Sequence, residues 1–373
     1  MALLQCGFVG QEKGKRMNSA ADKRVTLADV AKLAGVSKQT VSRVVNGSEH
    51  VTEETRTRVL QCIDTLGFRP SALARQLSTG RSQTIGVVSN GGQGYLVSGV
   101  AYLGMVRQAD KMGYALLIKE MTDFSSGSIR TMLDYLIERQ VDGVIWAGPE
   151  IGDSHAWLDT FDAASLPMPL VAINAKPRPG VDTVSFDNFE AGRVATRHLL
   201  SLGRKNIGHI AGPTNRWVSQ QRVEGWKAAL AEAGTSEMAR NVVEGDWDVH
   251  TGGPGLRRLL EICPKLDAVF VGSDRMAIGV LAEAHKLGLR VPEDLAVMGV
   301  DNLPESAYLI PPLTSMTQDT PRMAEVALRL LVRRICERRG EPYPEACAIP
   351  ENPLLTHDLV VRQSTLCGKL ASK

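Results

Sequence analysis

Two groups of polar side chains carry the chemistry that this sequence offers. The first lies between Ser37 and Asn46, where Lys38, Gln39, Ser42, Arg43 and Asn46 fall on one side of a short helical pattern. Gln can bond adenine bidentately, while Lys and Arg reach guanine O6 and N7 or a phosphate. The hydroxyls of Ser37, Thr40 and Ser42 suit phosphate oxygens, and no acid interrupts the face. The other reading of such a face is a solvated surface in an unrelated helical domain. The second group is spread through the body, where Asn174, Ser273-Asp274 and Asp301-Asn302 each follow a strand-length apolar run. Arg222 opens a helical stretch, and Phe186 and Trp247 offer flat apolar faces. A pyranose calls for that mixture of carboxylate, amide, guanidinium and aromatic groups. Strand-end Asn and Asp can instead cap the next helix, and for Asp274 capping is the favoured reading. No helix start follows Asp301 so cleanly, which favours a ligand role there.

Common catalytic patterns are absent. The chain has no G-x-x-x-x-G-K-[ST] phosphate loop, no H-E-x-x-H and no G-x-S-x-G. Gly92-x-Gly94 with Glu120 is a fragment of a dinucleotide fingerprint, but Val97 stands at its third glycine position. The seven histidines, His357 among them, show no ligand spacing and read as surface or satisfied polar residues. The six cysteines form no C-x-x-C pair, which suggests neither a zinc site nor a disulfide framework. No metal and no cofactor is expected.

Elements must position these groups, and the first group has three helices to do it. Leu27, Val30, Ala31 and Ala34 recur at helical spacing, with Thr26 as N-cap and Asp29 at capping-box distance. Gly35 suits a left-handed C-cap and Ser37 the N-cap of a second helix, which carries Val41, Val44 and Val45 inward. Thr52 caps a third helix with Glu53 and Glu54 in its first turn and Val59, Ile63 and Leu66 facing the core. Two helices joined by a short glycine turn make a helix-turn-helix. The fragment Ser71–Leu77 is too short to be helical alone in water. It reads as a linker, or as a hinge helix that forms on DNA and wedges Leu77 into the minor groove.

From Gln83 onward apolar runs alternate with helical patterns: Thr84–Ser89, Tyr114–Lys119, Asp142–Ala147, Leu170–Asn174, Asn206–Ala211, Ala268–Gly272 and Leu295–Val300. That alternation predicts an α/β fold with two doubly wound parallel-sheet subdomains behind an N-terminal helix-turn-helix headpiece. The expected divisions are a flexible extension at 1–24, which would be lost if Met17 is the true start, a headpiece at 25–70, a hinge and linker at 71–82, a core at 83–366 and a tail at 367–373. Within the core, 83–183 with 319–345 form one half and 184–316 with 346–366 the other.

Charge divides the same way. The 373 residues carry 43 Lys and Arg against 41 Asp and Glu, a net charge of +2. Residues 11–81 hold 13 of the basic and 7 of the acidic ones, so this head is +6 and the remainder −4. A basic head suggests a polyanion partner for that part alone, or a solvated basic face. With 43% hydrophobic and 23% charged residues the composition is globular. No apolar run reaches membrane-spanning length and no signal peptide is legible, so a cytoplasmic protein is expected.

The run from Val25 to Asn46, VTLADVAKLAGVSKQTVSRVVN, resembles the headpiece of the lactose-repressor (LacI/GalR) family of transcriptional regulators. The likeness continues through Ala72–Leu77, Gln221–Trp226, Glu244–Trp247, Ser273–Gly279 and Ile310–Asp319, and covers about residues 25–365. The body motifs resemble the lactose-responsive branch more than the purine-responsive one. This resemblance implies a homodimeric repressor of carbohydrate-utilisation genes, released from a palindromic operator by a sugar held between two periplasmic-binding-protein-like subdomains. By matching position, Lys38, Gln39 and Arg43 would read bases. Thr26, Leu27, Ser37, Thr40, Ser42, Asn46, His50 and Thr52 would position the helix on phosphates, with Ala74 and Leu77 in the minor groove. Asn174, Phe186, Arg222, Trp247, Ser273, Asp301 and Gln318 would contact the effector. Asn174, Ser273, Thr320 and the loop Asn90–Val97 depart from the lactose-responsive pattern, which leaves the sugar open. A purine or other small-metabolite corepressor is the alternative, and a sugar-binding protein or a nicotinamide enzyme would be further ones. No leucine-heptad tail follows Thr365, so a tetramerising extension is not expected.

Overall fold

A computed structural model describes residues 25–45, 50–69, 76, 80–89, 99–123, 125–148, 150, 157–158, 165–350 and 353–366. The chain divides into two compact units, residues 1–81 and 82–373.

In the first unit, α1 (Leu27–Ala34), α2 (Lys38–Val45) and α3 (Glu53–Leu66) enclose a small core of Val30, Ala31, Ala34, Val41, Val44, Val59 and Phe68. Each boundary has a local cause. The Asp29 carboxylate accepts the Thr26 N–H at 2.9 Å and the Thr26 hydroxyl at 2.7 Å, which closes the start of α1. Gly35 takes φ 64°, a conformation costly for any residue with a Cβ, and turns the chain into α2. There the Ser37 hydroxyl accepts the Thr40 N–H at 3.0 Å. Thr52 accepts the Thr55 N–H, and Gly67 at φ 61° ends α3.

The second unit is built on two six-stranded sheets. The first contains β1 (Thr84–Ser89), β2 (Ala115–Glu120), β3 (Gly143–Trp146), β4 (Leu170–Ile173), β5 (Asp182–Phe186) and β11 (Leu354–Leu355), in the order β11-β5-β4-β3-β1-β2. The second contains β6 (Ile207–Ala211), β7 (Val242–Glu244), β8 (Ala268–Val271), β9 (Ala296–Asp301), β10 (Thr314–Thr317) and β12 (Leu359–Val360), in the order β12-β10-β9-β8-β6-β7. Every pairing is parallel except that of β10 with β12. Strands such as GVIW, LVAI and AVFV are buried along their whole length, because helices cover both faces of a parallel sheet.

The helices of this unit are α4 (Gly99–Lys111), α5 (Ser126–Glu138), α6 (Asn188–Ser201), α7 (Trp217–Glu232), α8 (Val249–Ile262), α9 (Asp274–Lys286) and α10 (Thr320–Arg339). α10 buries Met323, Ala327, Leu330, Leu331 and Ile335 against β3, β4 and β5 of the first sheet. In each sheet the strand order reverses beside the first strand, between β1 and β3 and between β6 and β8. Ligands of open α/β sheets bind at such reversals, beyond the carboxyl ends of the strands.

The division between the halves differs from the sequence expectation. Asp182–Phe186 and Leu354–Leu355 run in the first sheet, whereas the sequence places residues from 184 onward, and 346–366, in the second half. The cause is burial: Val184 and Phe186 complete the core under α10, so the chain leaves the first sheet only after Phe186. The chain therefore passes between sheets three times, at Asp187-Asn188, at Gln318-Asp319 and at Thr356-His357-Asp358.

Candidate DNA-reading face and effector crevice

On α2 the expected base-reading side chains, Lys38, Gln39 and Arg43, are exposed, with Ser37, while Thr40 and Ser42 are half-buried. Val41 and Val44 on the opposite side fill the core, so the helix is amphipathic with a cationic, acid-free outer face. Thr26, His50 and Thr52 are exposed and Leu27 is half-buried against the core. Asn46, Ala74 and Leu77, like the loop Asn90–Val97, lie outside the described residues.

Arg222 organises the crevice of the second unit. It sits on α7, buried, where α6 and α7 cross so closely that a Cβ on Gly192 would stand 2.2 Å from the Arg222 carbonyl oxygen. Its Nε donates to Asn188 Oδ1 at 2.8 Å, Nη1 to the Gly272 carbonyl at 2.6 Å and Nη2 to Gln318 Oε1 at 3.0 Å. Asn188 and Gln318 belong to two of the three passages between sheets. One guanidinium thus clasps two of the segments that must bend if the halves move, and its rigid fork is what lets it do so. The same guanidinium lies 5.3 Å from the centroid of the Trp247 ring.

Trp247 has φ 76° and is nearly buried. Its ring lies on backbone: a Cβ on Gly212 would meet ring carbons at 2.0–2.2 Å, and one on Gly272 would meet another at 3.1 Å. Ser273, expected to contact the effector, is fully buried, and its hydroxyl is committed on both sides. It accepts the Met276 N–H as N-cap of α9 and donates to the Trp247 carbonyl. The cap is therefore Ser273, and the capping reading of Asp274 is corrected. Asp274 instead spends its carboxylate on three elements distant in sequence. It accepts the Leu303 N–H at 2.9 Å and the hydroxyls of Ser306 at 2.5 Å and Ser315 at 2.6 Å. Those bonds brace the turn after β9, on which Asp301 stands. Burial lifts the Asp274 carboxyl to about 6 despite the hydroxyl donors. Burial first, and the neighbouring Asp274 charge second, raise Asp301 well above the usual carboxylate range.

Four of the six non-glycine residues with positive φ among the described residues stand at these strand ends: Asn174 at 50°, Trp247 at 76°, Asp301 at 111° and Asn302 at 51°. Backbone held in that region costs about 1–3 kcal/mol per residue and persists where surroundings over-determine it, typically at ligand sites. Two of the four also carry a buried acceptor with no protein donor, Asn174 Oδ1 and Asp301 Oδ1. Phe186, by contrast, is only 1% exposed and belongs to the core of the first sheet. It supports the crevice from below, with the His357 ring tilted over it at 5.0 Å between centroids. Opposite, Glu150 holds Arg178 in a buried ion pair, and its carbonyl receives the Trp217 N–H of α7 at 3.4 Å, a bond between the two halves. Sequence reasoning missed the parts played by His357 and Asn188, and gave Asp274 a cap in place of its bonds to Leu303, Ser306 and Ser315. Gly212 and Gly272, small residues directly after β6 and β8, were the signal for a large ring packed on backbone.

Residues 26–71 match the family model described as bacterial regulatory proteins, lacI family, and residues 196–365 match the periplasmic binding protein-like domain. The HTH-type transcriptional repressor PurR of Mannheimia succiniciproducens is 34% identical over 84% of this chain and 92% of its own length. The chain belongs to the LacI family of bacterial regulatory proteins. It is a DNA-binding transcriptional repressor, and its relatives are not enzymes. Among solved structures, a transcriptional regulator CelR in complex with cellobiose aligns over 91% of this chain and all of that one, at 32% identity and a TM-score of 0.65. A lac repressor dimer bound to operator and an anti-inducer covers 92% of this chain and all of that one, at 28% identity and a TM-score of 0.77. The α/β architecture predicted from sequence, with a helix-turn-helix headpiece and two parallel-sheet subdomains, is the one observed. No helix among the described residues is long and apolar enough to cross a membrane.

Proposed function

We propose that this repressor responds to a neutral carbohydrate held in the crevice between its two sheets, and that the sugar releases it from a palindromic operator in the cytoplasm. The observation that carries the reading is the pair of buried acceptors, Asn174 Oδ1 and Asp301 Oδ1, each on strained backbone at a strand end. Acceptors without donors call for a ligand rich in hydroxyl groups, and buried polar groups left unmatched are costly. The Trp247 ring supplies the flat apolar face for the C–H side of a pyranose. Arg222 and Gln318 complete the contact set, with Ser273 holding Trp247 and Phe186 beneath.

The coupling runs through the passages between sheets. A sugar that favours one closure of the halves moves Asn188 and Gln318 through Arg222. That closure sets the spacing of the two hinges in a homodimer. Such coupling is typically 1–3 kcal/mol and reciprocal. Exposed Leu103 on α4, Tyr308 at 86% and Ile310 at 95% offer apolar surface for the second subunit. On DNA, Lys38, Gln39 and Arg43 read base edges. Thr26, Leu27, Ser37, Thr40, Ser42, Asn46, His50 and Thr52 set the phosphate register, and Ala74 and Leu77 enter the minor groove.

A purine corepressor is the second reading, favoured by a relative at 34% identity that is named HTH-type transcriptional repressor PurR. Calorimetric titration of the full chain with glucose, galactose, lactose, cellobiose, hypoxanthine and guanine separates the two. The proposal expects a sugar to bind and to lower affinity for a duplex selected from random sequence. Binding of a purine that raises that affinity, with no sugar bound, would replace it.

A further inference from the structure

The third passage between the sheets is unlike the other two. Leu354–Leu355 pairs with Ser185 and Phe186 of the first sheet, and two residues past His357 the chain pairs Leu359 and Val360 with Met316 and Ser315 of the second. His357 bridges both. Its ring lies over Phe186 at the end of β5, and its Nδ1 donates to the Thr317 carbonyl at the end of β10, at 2.6 Å. A ring nitrogen that donates to a carbonyl carries the proton, which fixes the other nitrogen as an acceptor. Burial, helped by the nearby Arg222 charge, depresses this imidazole to about 4, so the ring is neutral at pH 7. Its Nε2 is buried and has no hydrogen-bond partner.

We infer that His357 is a ligand-recognition residue whose Nε2 accepts a hydrogen bond from a hydroxyl of the bound sugar, reading the ligand from the hinge itself. Three features of the geometry support this. The Phe186 ring that it covers stands at the carboxyl end of β5, the Arg222 charge beside it clasps the other two passages, and its acceptor adds a third to those of Asn174 and Asp301. A hydroxyl bonded to His357 touches the segment whose bending defines closure, so this contact exists in one arrangement of the halves and lapses in the other. It serves specificity and response together.

The inference rests on the carbohydrate reading, and its test separates the two. Wild-type full-length protein is titrated with glucose, galactose, lactose and cellobiose, and then with monodeoxy analogues of whichever binds most tightly. The same set is run on His357→Asn, which keeps a donor for the Thr317 carbonyl and removes the far nitrogen. One analogue should bind wild type about tenfold more weakly than its parent, the order expected for one buried hydrogen bond. In His357→Asn parent and analogue should bind alike, while the other analogues keep their wild-type ratios. A structural role would weaken all sugars by a common factor, leave every ratio unchanged and overturn the inference. If His357→Asn shows no cooperative thermal transition, His357→Phe, which preserves the flat face over Phe186, enters the same cycle with the same expected ratios. Failure of wild type to bind any of the four sugars would overturn the carbohydrate reading and this inference with it. Sugar binding with unchanged ratios would overturn the inference alone.

Discussion

Gly212→Ala is the sharpest single perturbation of the crevice. Gly212 follows β6, and an added Cβ would lie 2.0 Å from one ring carbon of Trp247 and 2.1 and 2.2 Å from two others. Ordinary carbon contacts begin near 3.5 Å, so the ring must retreat by about 1.5 Å. It cannot do so freely. Its backbone is already in the left-handed region, Ser273 bonds its carbonyl, and Gly272 closes the adjacent side. Displacement of a packed ring by one methyl costs about 1–3 kcal/mol of stability. It also removes the flat surface on which a pyranose would lie, expected to weaken the sugar by at least about tenfold, or 1.4 kcal/mol. The residue is remote in sequence from the basic headpiece, which is a compact unit of its own. The expected outcome is therefore a folded variant that binds duplex DNA with wild-type affinity, shows an altered tryptophan emission and no longer answers to sugar. Calorimetry for the sugar and fluorescence anisotropy for the duplex read both sides. Unchanged sugar affinity in a well-folded Gly212→Ala would refute the placement of Trp247 in the ligand site.

Other outcomes follow from the same geometry. Arg43→Ala should lower affinity for the selected duplex by about 1–3 kcal/mol and relax selection at one base position, as read by competition binding. Lys38→Ala tested against salt shows whether a phosphate contact also goes, by a shallower slope of log affinity on log salt. His209 is fully buried between Phe270 and Trp226, and burial depresses it to about 4. Its unfolded imidazole binds a proton near 6.5 while the folded one does not until about 4, so stability falls as pH drops from 6.5 toward 4. The loss from this one residue is about 2 kcal/mol at pH 5, and urea midpoints of wild type should fall between pH 7 and pH 5 by more than those of His209→Gln. Ile310→Glu should shift the sedimenting species from dimer to monomer and lower affinity for the palindrome.

Much of this was legible in sequence, and the reasons are local. The headpiece could be read because caps and apolar spacing act within three or four residues: Thr26 with Asp29, Ser37 with Thr40, Thr52 with Thr55. The central parallel strands could be read because burial on both faces leaves continuous apolar runs. β7 and β10 were missed because strands of three or four residues with Thr, Ser or Glu carry no such run, and β11 and β12 because two apolar residues are too few to make one. β5 interleaves Asp, Thr and Ser with Val184 and Phe186, so the point where the chain leaves the first sheet was misplaced as well. In the crevice, residue types at strand ends named Ser273 and Asp274 but not what each of them bonds. Asp274 reaches partners 29, 32 and 41 residues away, and Ser273 takes the cap that Asp274 was expected to provide. His357 has no distinguishing spacing at all. Its position matters only because two sheets meet there.

The most direct measurement is anisotropy of a labelled selected duplex on the full-length protein, at two salt concentrations, with and without the sugar identified by calorimetry. The account predicts tight binding that weakens steeply with salt, and a further loss of at least about fivefold when the crevice is filled. Sugar bound at the crevice with no change in duplex affinity would contradict it.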